Sequence, residues 1–551
     1  MIIDCVLIGF NDEKTEATLK KTEAYKNKDA AHNHEISRSA IVDGHIMKYS
    51  DLVRESISRA TRMKSDLSIY RMPNIDVHDL HHYLKKRNIH AAIVNDFTLD
   101  KKKLTYLLRN SSPKLVGISS TCVVEAEPIR EMVDFIRNIN PTIPIVVRGP
   151  FINNINYEYQ NYKKIALLQR MGADIYIHER QGEKTLHNIY LELCKEKPDL
   201  SRVPNILYKS NIQLYNSEHK ILRTIKVPEN IHLDDEPVKE LTFYGNHIKP
   251  PVYIRTDVSC VHNCTYCPYP ISGDDVMYSS LDSIEKNLNY IHSLGVKYII
   301  FRDVSLNKSL ERFKSILRMM IRNKYDFNWF SYFIISHSDD ETYDLMEHSG
   351  CKGVILDIDS GVDTILKNMD KQVTRKKLAW GIKKLKEHNI ISYASCTIGF
   401  PGETVETAKE TIQFIEDYRP TFYDLQCWFY DNTSPIAKEK IYYNLEGSGY
   451  TWSHKDMDSS LASDIVFHGI KKITNSYFMP STSFNLWSLV YYLSQGAELE
   501  EFFEFSKIYK QVIGYEKADL DKKYIDNINE IMGVFKNNIK LYENLMMRNK
   551  Q

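Results

Sequence analysis

Three of the nine cysteines in this 551-residue chain stand together, as Cys260-Val-His-Asn-Cys264-Thr-Tyr-Cys267, while the other six are scattered. Thiolates at C-x3-C-x2-C spacing on one short loop are placed to hold a metal ion or an iron–sulfur cluster. Zinc is one reading, with His262 completing a Cys3His set in the tetrahedral geometry that structural zinc prefers. His262 lies between two of the cysteines, a crowded spacing for a fourth ligand, and this favours the cluster. Nine cysteines are too few for a disulfide scaffold. Cys351, Cys396 and Cys427 sit among apolar neighbours and read as small core residues. Asp303 and Asp359 follow apolar runs, where a strand-end carboxylate either meets a ligand or is simply solvated. Gly399, Pro401 and Gly402 punctuate a third such end, and turn geometry alone accounts for that composition.

The elements that position these residues are legible in the apolar rhythm. In the first 200 residues, runs at 4–10, 90–97, 114–121, 143–150 and 173–179 read as strands ending near Gly, Ser or Pro. Between them lie periodic stretches such as 127–140, whose Ile129, Met132, Val133 and Ile136 fall on one helical face. This alternation implies a doubly wound α/β sheet, with ligands beyond the carboxyl ends of its strands. Residues 11–72 break the rhythm and read as an irregular insertion. Residues 203–250 read as a linker with a hairpin. From 251 to 440 strands and helices alternate again, as in a partial (βα) barrel. Residues 441–551 turn helical, aromatic-rich and then charged. The expected domains are therefore 1–202, the 203–250 linker, 251–440 and 441–551.

Composition excludes several classes. Apolar residues make up 43% and charged residues 26%, ordinary for a globular protein. Seventy-two Lys and Arg balance 72 Asp and Glu, so there is no basic excess for a nucleic-acid backbone. No apolar run approaches the roughly 18 to 20 residues that span a bilayer. The opening MIIDCVLIGFNDEKTE lacks the basic n-region of a signal peptide, and a cytoplasmic location is expected.

The cysteine motif, with Tyr266 before its last cysteine, resembles that of the radical S-adenosylmethionine (SAM) enzymes. Three later segments match in order: IIFRDVSLN (299–307), ILDIDSGVDTILKNMDKQVT (355–374) and CTIGFPGET (396–404). The resemblance covers about 250–430. It implies a [4Fe–4S] cluster on Cys260, Cys264 and Cys267, whose fourth iron is chelated by SAM, and a low-potential electron donor of the flavodoxin or ferredoxin type. It also implies SAM contacts at Tyr266, Asp303, Asp359, Ser360, Gly399, Pro401 and Gly402. Asp359 stands where relatives usually have Glu, Asp357 where they have Gly, and Val304 where a second acidic residue is common.

The amino-terminal half resembles the cobalamin-binding domain that precedes the barrel in many radical SAM enzymes. Its matching loops are GISST (117–121), VVRGPF (146–151) and IHERQGEKTL (177–186). They imply cobalamin contacts at Ser119, Ser120, Thr121, Arg148, Gly149, Pro150, Glu179 and Gly182. The D-x-H-x-x-G signature is absent, and Asp76-Val-His78 reads as a helix N-cap region. The resemblance as a whole implies a cobalamin-dependent radical SAM methyltransferase, in which methylcobalamin methylates a carbon or phosphorus centre of a small substrate. The layout is most similar to the phosphinothricin-type P-methyltransferase subgroup, through YTWSHKDMD and NSYFMP. A rearrangement or cyclisation with the same cofactors, an RNA methylthiotransferase using Cys5, Cys122 and Cys194 for a second cluster, and a non-catalytic scaffold or sensor are the alternatives.

Overall fold

The computed structural model describes residues 3–10, 37–61, 67, 69, 72–121, 123, 126–158, 161–179, 181–210, 221–226, 234, 250–268, 276–515 and 521–549. The chain divides into two compact units, Met1–Asp12 with Tyr70–Glu240, and Glu13–Ile69 with Leu241–Gln551.

The first unit is built on strands Cys5–Ile8, Ala91–Val94, Leu115–Ser119, Ile145–Arg148 and Ile175–Ile177, each within an apolar run that predicts it. Cys5–Ile8 lies between Ala91–Val94 and Leu115–Ser119, all five strands are parallel, and the order reverses beside the first strand. Strand side chains alternate between faces, so both faces need cover. Val6, Ile8, Val116 and Ile118 pack against Leu104, Met132 and Ile136 of the helices Lys101–Asn110 and Ala126–Ile139. Cys5, Leu7 and Leu115 pack against Leu80, Leu84 and Ile189 of the helices Ile75–Lys85 and Glu183–Leu193. Strand Ile206–Lys209 extends this sheet antiparallel to Ile175–Ile177, and Ile221–Arg223 pairs antiparallel with Ile206–Lys209, so the expected hairpin is part of the first unit.

The second unit carries a seven-stranded parallel sheet in simple chain order: Val252–Ile254, Tyr298–Phe301, Asn328–Tyr332, Cys351–Asp359, Ile391–Ile398, Phe422–Cys427 and Tyr477–Phe478. Helices Leu281–Ser293, Leu310–Arg322, Asp340–His348, Arg375–Glu387 and Val405–Tyr418 connect successive strands, as a (βα) repeat requires. Several start on side chains that satisfy free backbone N–H groups: Ser280, Asp339, Thr374 and Thr404 all accept from N3. The last strand comes from the region expected to be helical. That region also folds the small antiparallel sheet Glu446–Ser448, Thr451–His454 and Met457–Asp458 before its long helices begin at Ser459–Lys472.

The irregular insertion has a definite place. Residues 37–61, a hairpin and the helix Tyr49–Thr61, belong to the second unit. The Tyr49 ring packs 4.7 Å from Phe484, 4.9 Å from Phe505 and 4.7 Å from Tyr509. The Arg38 guanidinium is buried and donates to Asp424 at 2.8 Å, across 386 residues of sequence.

Candidate active site

The cysteine loop leaves the carboxyl end of the first barrel strand. The short strands Asp257–Val258 and Met277–Tyr278 pair at its two ends. Its far side is fastened to the end of the helix Asp363–Asn368, where Thr265 donates from N to Met369 O at 3.0 Å and from Oγ1 to Asn368 O at 2.8 Å. Ile436 N in turn donates to Thr265 O at 2.8 Å. Cys260, Cys264 and Cys267 all line one cavity of about 290 Å³. Burial pushes the Cys264 thiol up to about 11, so a metal taking its thiolate must displace a firmly held proton. Among the described residues, no group of three or more His, Cys, Asp or Glu converges on a single-ion geometry.

The strand Cys351–Asp359 supplies the facing chemistry. Asp359 ends it in a left-handed conformation (φ 59°), where the ladder to Ile391–Ile398 is interrupted. Its Oδ2 accepts from the Tyr266 hydroxyl at 2.9 Å and meets Lys371 Nζ at 2.5 Å. All three residues line the cavity with the cysteines. Burial works against the Lys371 ammonium, but Asp359 and Asp357 outweigh it and hold its pKa above the ordinary value. Burial, helped by Asp359, drives the Tyr266 phenol well above its usual range, so it stays protonated and donating. The remaining wall is largely apolar, from Val304, Phe333, Ile334, Ile335 and Leu378. Asn307 clamps that wall, exchanging hydrogen bonds with Ile334 N and O at 2.9 and 2.8 Å. The Trp487 ring stands edge-on to the cavity residue Tyr332 at 5.4 Å, so the FMPSTSFNLW segment reaches the cavity wall.

The other expected SAM contacts lie behind this lining. Asp303 is buried and accepts from Thr256 N and Oγ1, both at 2.7 Å, and from Asp257 N at 3.0 Å. Its carboxylate fixes the strand end that launches the cysteine loop. Ser360 Oγ pairs with Thr411 Oγ1 at 3.1 Å. Gly399 and Gly402 have φ of 97° and 90°, and a Cβ on Gly399 would come within 2.3 Å of the Trp452 ring. Pro401 O accepts from Asn368 at 3.2 Å, and Gly399 N donates to the buried Glu403 carboxyl at 2.5 Å. Sequence reasoning passed over Lys371 and noted Asp357 only as a departure from the family's Gly; both lie inside a segment quoted for its motif and both line the cavity.

In the first unit the three expected loops touch one another at the carboxyl edge of the sheet. Ser120 donates from N and Oγ to Arg148 O, both at 2.8 Å, and Ser119 Oγ lies 3.0 Å from Thr121 Oγ1. Gly149 has φ 113°, and a Cβ there would come within 2.8 Å of Ser120 Oγ. Pro150 opens the helix Pro150–Glu158. The Arg148 guanidinium is buried, donating to Asp76 Oδ1 at 2.6 Å and to Gln181 O, and thereby braces the loop that carries Gly182. Glu179 accepts from Asn205 at 2.5 Å, and burial raises its carboxyl. The helix Ile75–Lys85 is capped by Asn74, which accepts from Val77 N at 3.3 Å, so Asp76 and His78 lie in its first turn rather than at the cap.

Comparison with known proteins adds three kinds of finding. Residues 256–415 match the family described as the radical SAM superfamily, so the chain carries a radical SAM domain. An uncharacterized methyltransferase of Pyrococcus horikoshii is 22% identical over 312 residues, 56% of this chain and 65% of that one. A ribosomal protein uS12 methylthiotransferase of Protochlamydia amoebophila is 28% identical over 364 residues, 61% of this chain and 73% of that one. The structure resembles TsrM of Kitasatospora setae, a radical SAM methyltransferase solved with cobalamin and a [4Fe–4S] cluster and, separately, with tryptophan and a SAM analogue. In the latter comparison the TM-score is 0.58 at 16% identity, covering 87% of this chain and 97% of TsrM, a likeness of fold. No helix among the described residues is long and apolar enough to cross a membrane.

Proposed function

We propose, from the premise that residues 256–415 are a radical SAM domain, that this chain is a cobalamin-dependent methyltransferase acting on a carbon or phosphorus centre of a small biosynthetic molecule in the cytoplasm. One observation carries the reading. Three cysteines on a strand-end loop line the same cavity as a Tyr266–Asp359–Lys371 constellation, beyond the carboxyl ends of a parallel sheet. Their donor set fits a cluster: three thiols and no fourth cysteine in the lining. Cys260, Cys264 and Cys267 would hold it, and the polar constellation would meet SAM. The carboxyl edge of the first unit, with the Ser119 and Thr121 hydroxyls beside the point where strand order reverses, fits a corrin or its nucleotide tail.

Cluster, SAM and cobalamin would supply one-electron reduction, hydrogen abstraction and a transferable methyl group. The chain's own residues do the rest. Tyr266 and Lys371 fix the Asp359 carboxylate so that one oxygen remains to accept from a ribose hydroxyl without reorganisation. Val304, Ile334, Ile335 and Leu378 keep water from the reacting centre. A flavodoxin- or ferredoxin-type protein would deliver the electron. Phosphorus methylation follows only from the layout of 449–460 and 475–480 and is the finer part of the proposal.

The reading is tested by incubating the anaerobically reconstituted protein with cobalamin, a reductant and SAM labelled in its methyl group. Label on the bound cobalamin is expected; a protein that binds no cobalamin would sink the methyltransferase reading. A methylthiotransferase is disfavoured by the placement of its would-be second cluster. Cys5 starts its strand and Cys194 ends the helix Glu183–Leu193, beside Tyr190 and Asp4 at the amino edge. Thr121, the neighbour of Cys122, lies past the carboxyl end of its strand, at the opposite edge. Cys122 itself lies outside the described residues.

A further inference from the structure

The cavity contains a carboxylate that the constellation leaves unused. Asp357 lines it two residues before Asp359, on the same strand. Asp359 is occupied by Tyr266 and Lys371, whereas among the described residues no hydrogen bond or ion pair engages Asp357. Lys371 is the one Lys or Arg in the lining; its ion pair is with Asp359, and the field of Asp357 also steadies its charge. Two carboxylates therefore share one ammonium, and the exposed Asp357 side chain carries the surplus negative charge of a lining that also holds Val304, Phe333 and Ile334. Solvent satisfies that carboxylate while the cavity is open, and a ligand that displaces the water makes it costly unless the ligand brings a positive group to it. Desolvation raises its carboxyl, Lys371 opposes that shift, and the like charge of Asp359 adds to it.

We propose that Asp357 is the cavity's receptor for a positively charged ligand group, an alkyl sulfonium or a protonated amine. The sulfonium source rests on the radical SAM reading, and the amine source stands without it. In either case the cation completes a charge balance that the Asp359–Lys371 pair cannot, and an anionic group at this spot is repelled. The substrate class follows: if SAM's sulfonium is not the partner, the small molecule acted on carries an amine.

The experiment compares two ligand pairs that differ in charge and little in shape, on wild type, Asp357→Asn and Asp357→Glu. SAM and the neutral S-adenosylhomocysteine are titrated into the cluster-reconstituted protein, and benzylammonium and benzyl alcohol into the protein as purified. Wild type is expected to favour the cation by about tenfold or more in at least one pair. Asp357→Asn erases that preference while leaving the neutral ligand's affinity unchanged, and Asp357→Glu keeps it. Loss in the SAM pair assigns the sulfonium; loss in the benzylammonium pair assigns a substrate amine. A preference equal in wild type and Asp357→Asn for both pairs, or no preference in wild type, overturns the proposal. If wild type binds neither adenosyl ligand yet discriminates benzylammonium through Asp357, the radical SAM reading fails and this one stands. Circular dichroism and the cluster's visible absorbance check that each variant is folded.

Discussion

Asp359 has two jobs, and they separate on mutation. As a partner, it neutralises Lys371, whose side chain is only 15% exposed. Removing it leaves a buried ammonium unpaired, so Asp359→Ala is expected to cost about 3–5 kcal/mol in chemical denaturation. Adding Lys371→Met removes the orphaned charge and should restore much of that loss. As a ligand contact, Asp359 should also be needed for SAM, so calorimetry should show weakened SAM binding in both variants while the cluster chromophore persists. Full SAM affinity in the double variant would reduce the constellation to a structural strut. The three cysteines have no such dual role. Replacing Cys260, Cys264 or Cys267 by Ala should abolish both the brown chromophore and SAM cleavage, and a variant retaining both would exclude that residue as a ligand. The cysteines announced themselves by spacing alone. Lys371 did not, because nothing in a Lys-Gln pair after a helix says that the chain will fold back onto Asp359.

The turn between the strand Ile391–Ile398 and the helix Val405–Tyr418 shows how an element can be legible while its energetics are not. Its glycines and proline mark a turn in the sequence. The structure adds that Glu403 is wholly buried, accepts from Gly399 N, and has its other oxygen buried without a partner. Burial raises its carboxyl from 4.5 to about 8. The folded state therefore holds this proton more tightly than the unfolded chain. The resulting stability is fully present below about pH 4.5 and is lost as pH rises through about 8, at about 1.4 kcal/mol per pH unit within that window. Glu403→Gln keeps the acceptor and cannot ionise. Denaturation across pH 5–9 should show the wild type falling behind this variant until about pH 8, with a constant gap above it. Parallel curves would mean that Glu403 titrates normally. Asp303 makes the same point: its strand-end position was plain, but its bonds to Thr256 and Asp257 depend on a neighbouring strand.

At the scale of the molecule, periodicity exposed both parallel sheets because buried parallel strands read as apolar runs. It did not expose which unit owns residues 37–61, since that is decided by contacts some 400 residues away. Tyr524 OH bonds Ile41 N and O at 2.7 and 2.9 Å, Ser56 Oγ donates to Ile531 O at 2.8 Å, and Arg38 pairs with Asp424 on the sixth barrel strand. The side chains of Arg38 and Asp424 are 4% and 0% exposed, so Arg38→Met strands a buried carboxylate and should cost about 3–5 kcal/mol. Hydrogen exchange should then show 37–61 and the carboxyl-terminal helices losing protection together; loss confined to 37–61 would mean that the insertion is only draped on them. All of this scaffolding serves one cavity, and the direct test is on its chemistry. Protein reconstituted anaerobically with iron and sulfide, given SAM and a low-potential reductant, should release 5′-deoxyadenosine, and the Cys264→Ala variant should release none. An intact cluster that binds SAM and yields no cleavage product would contradict the account.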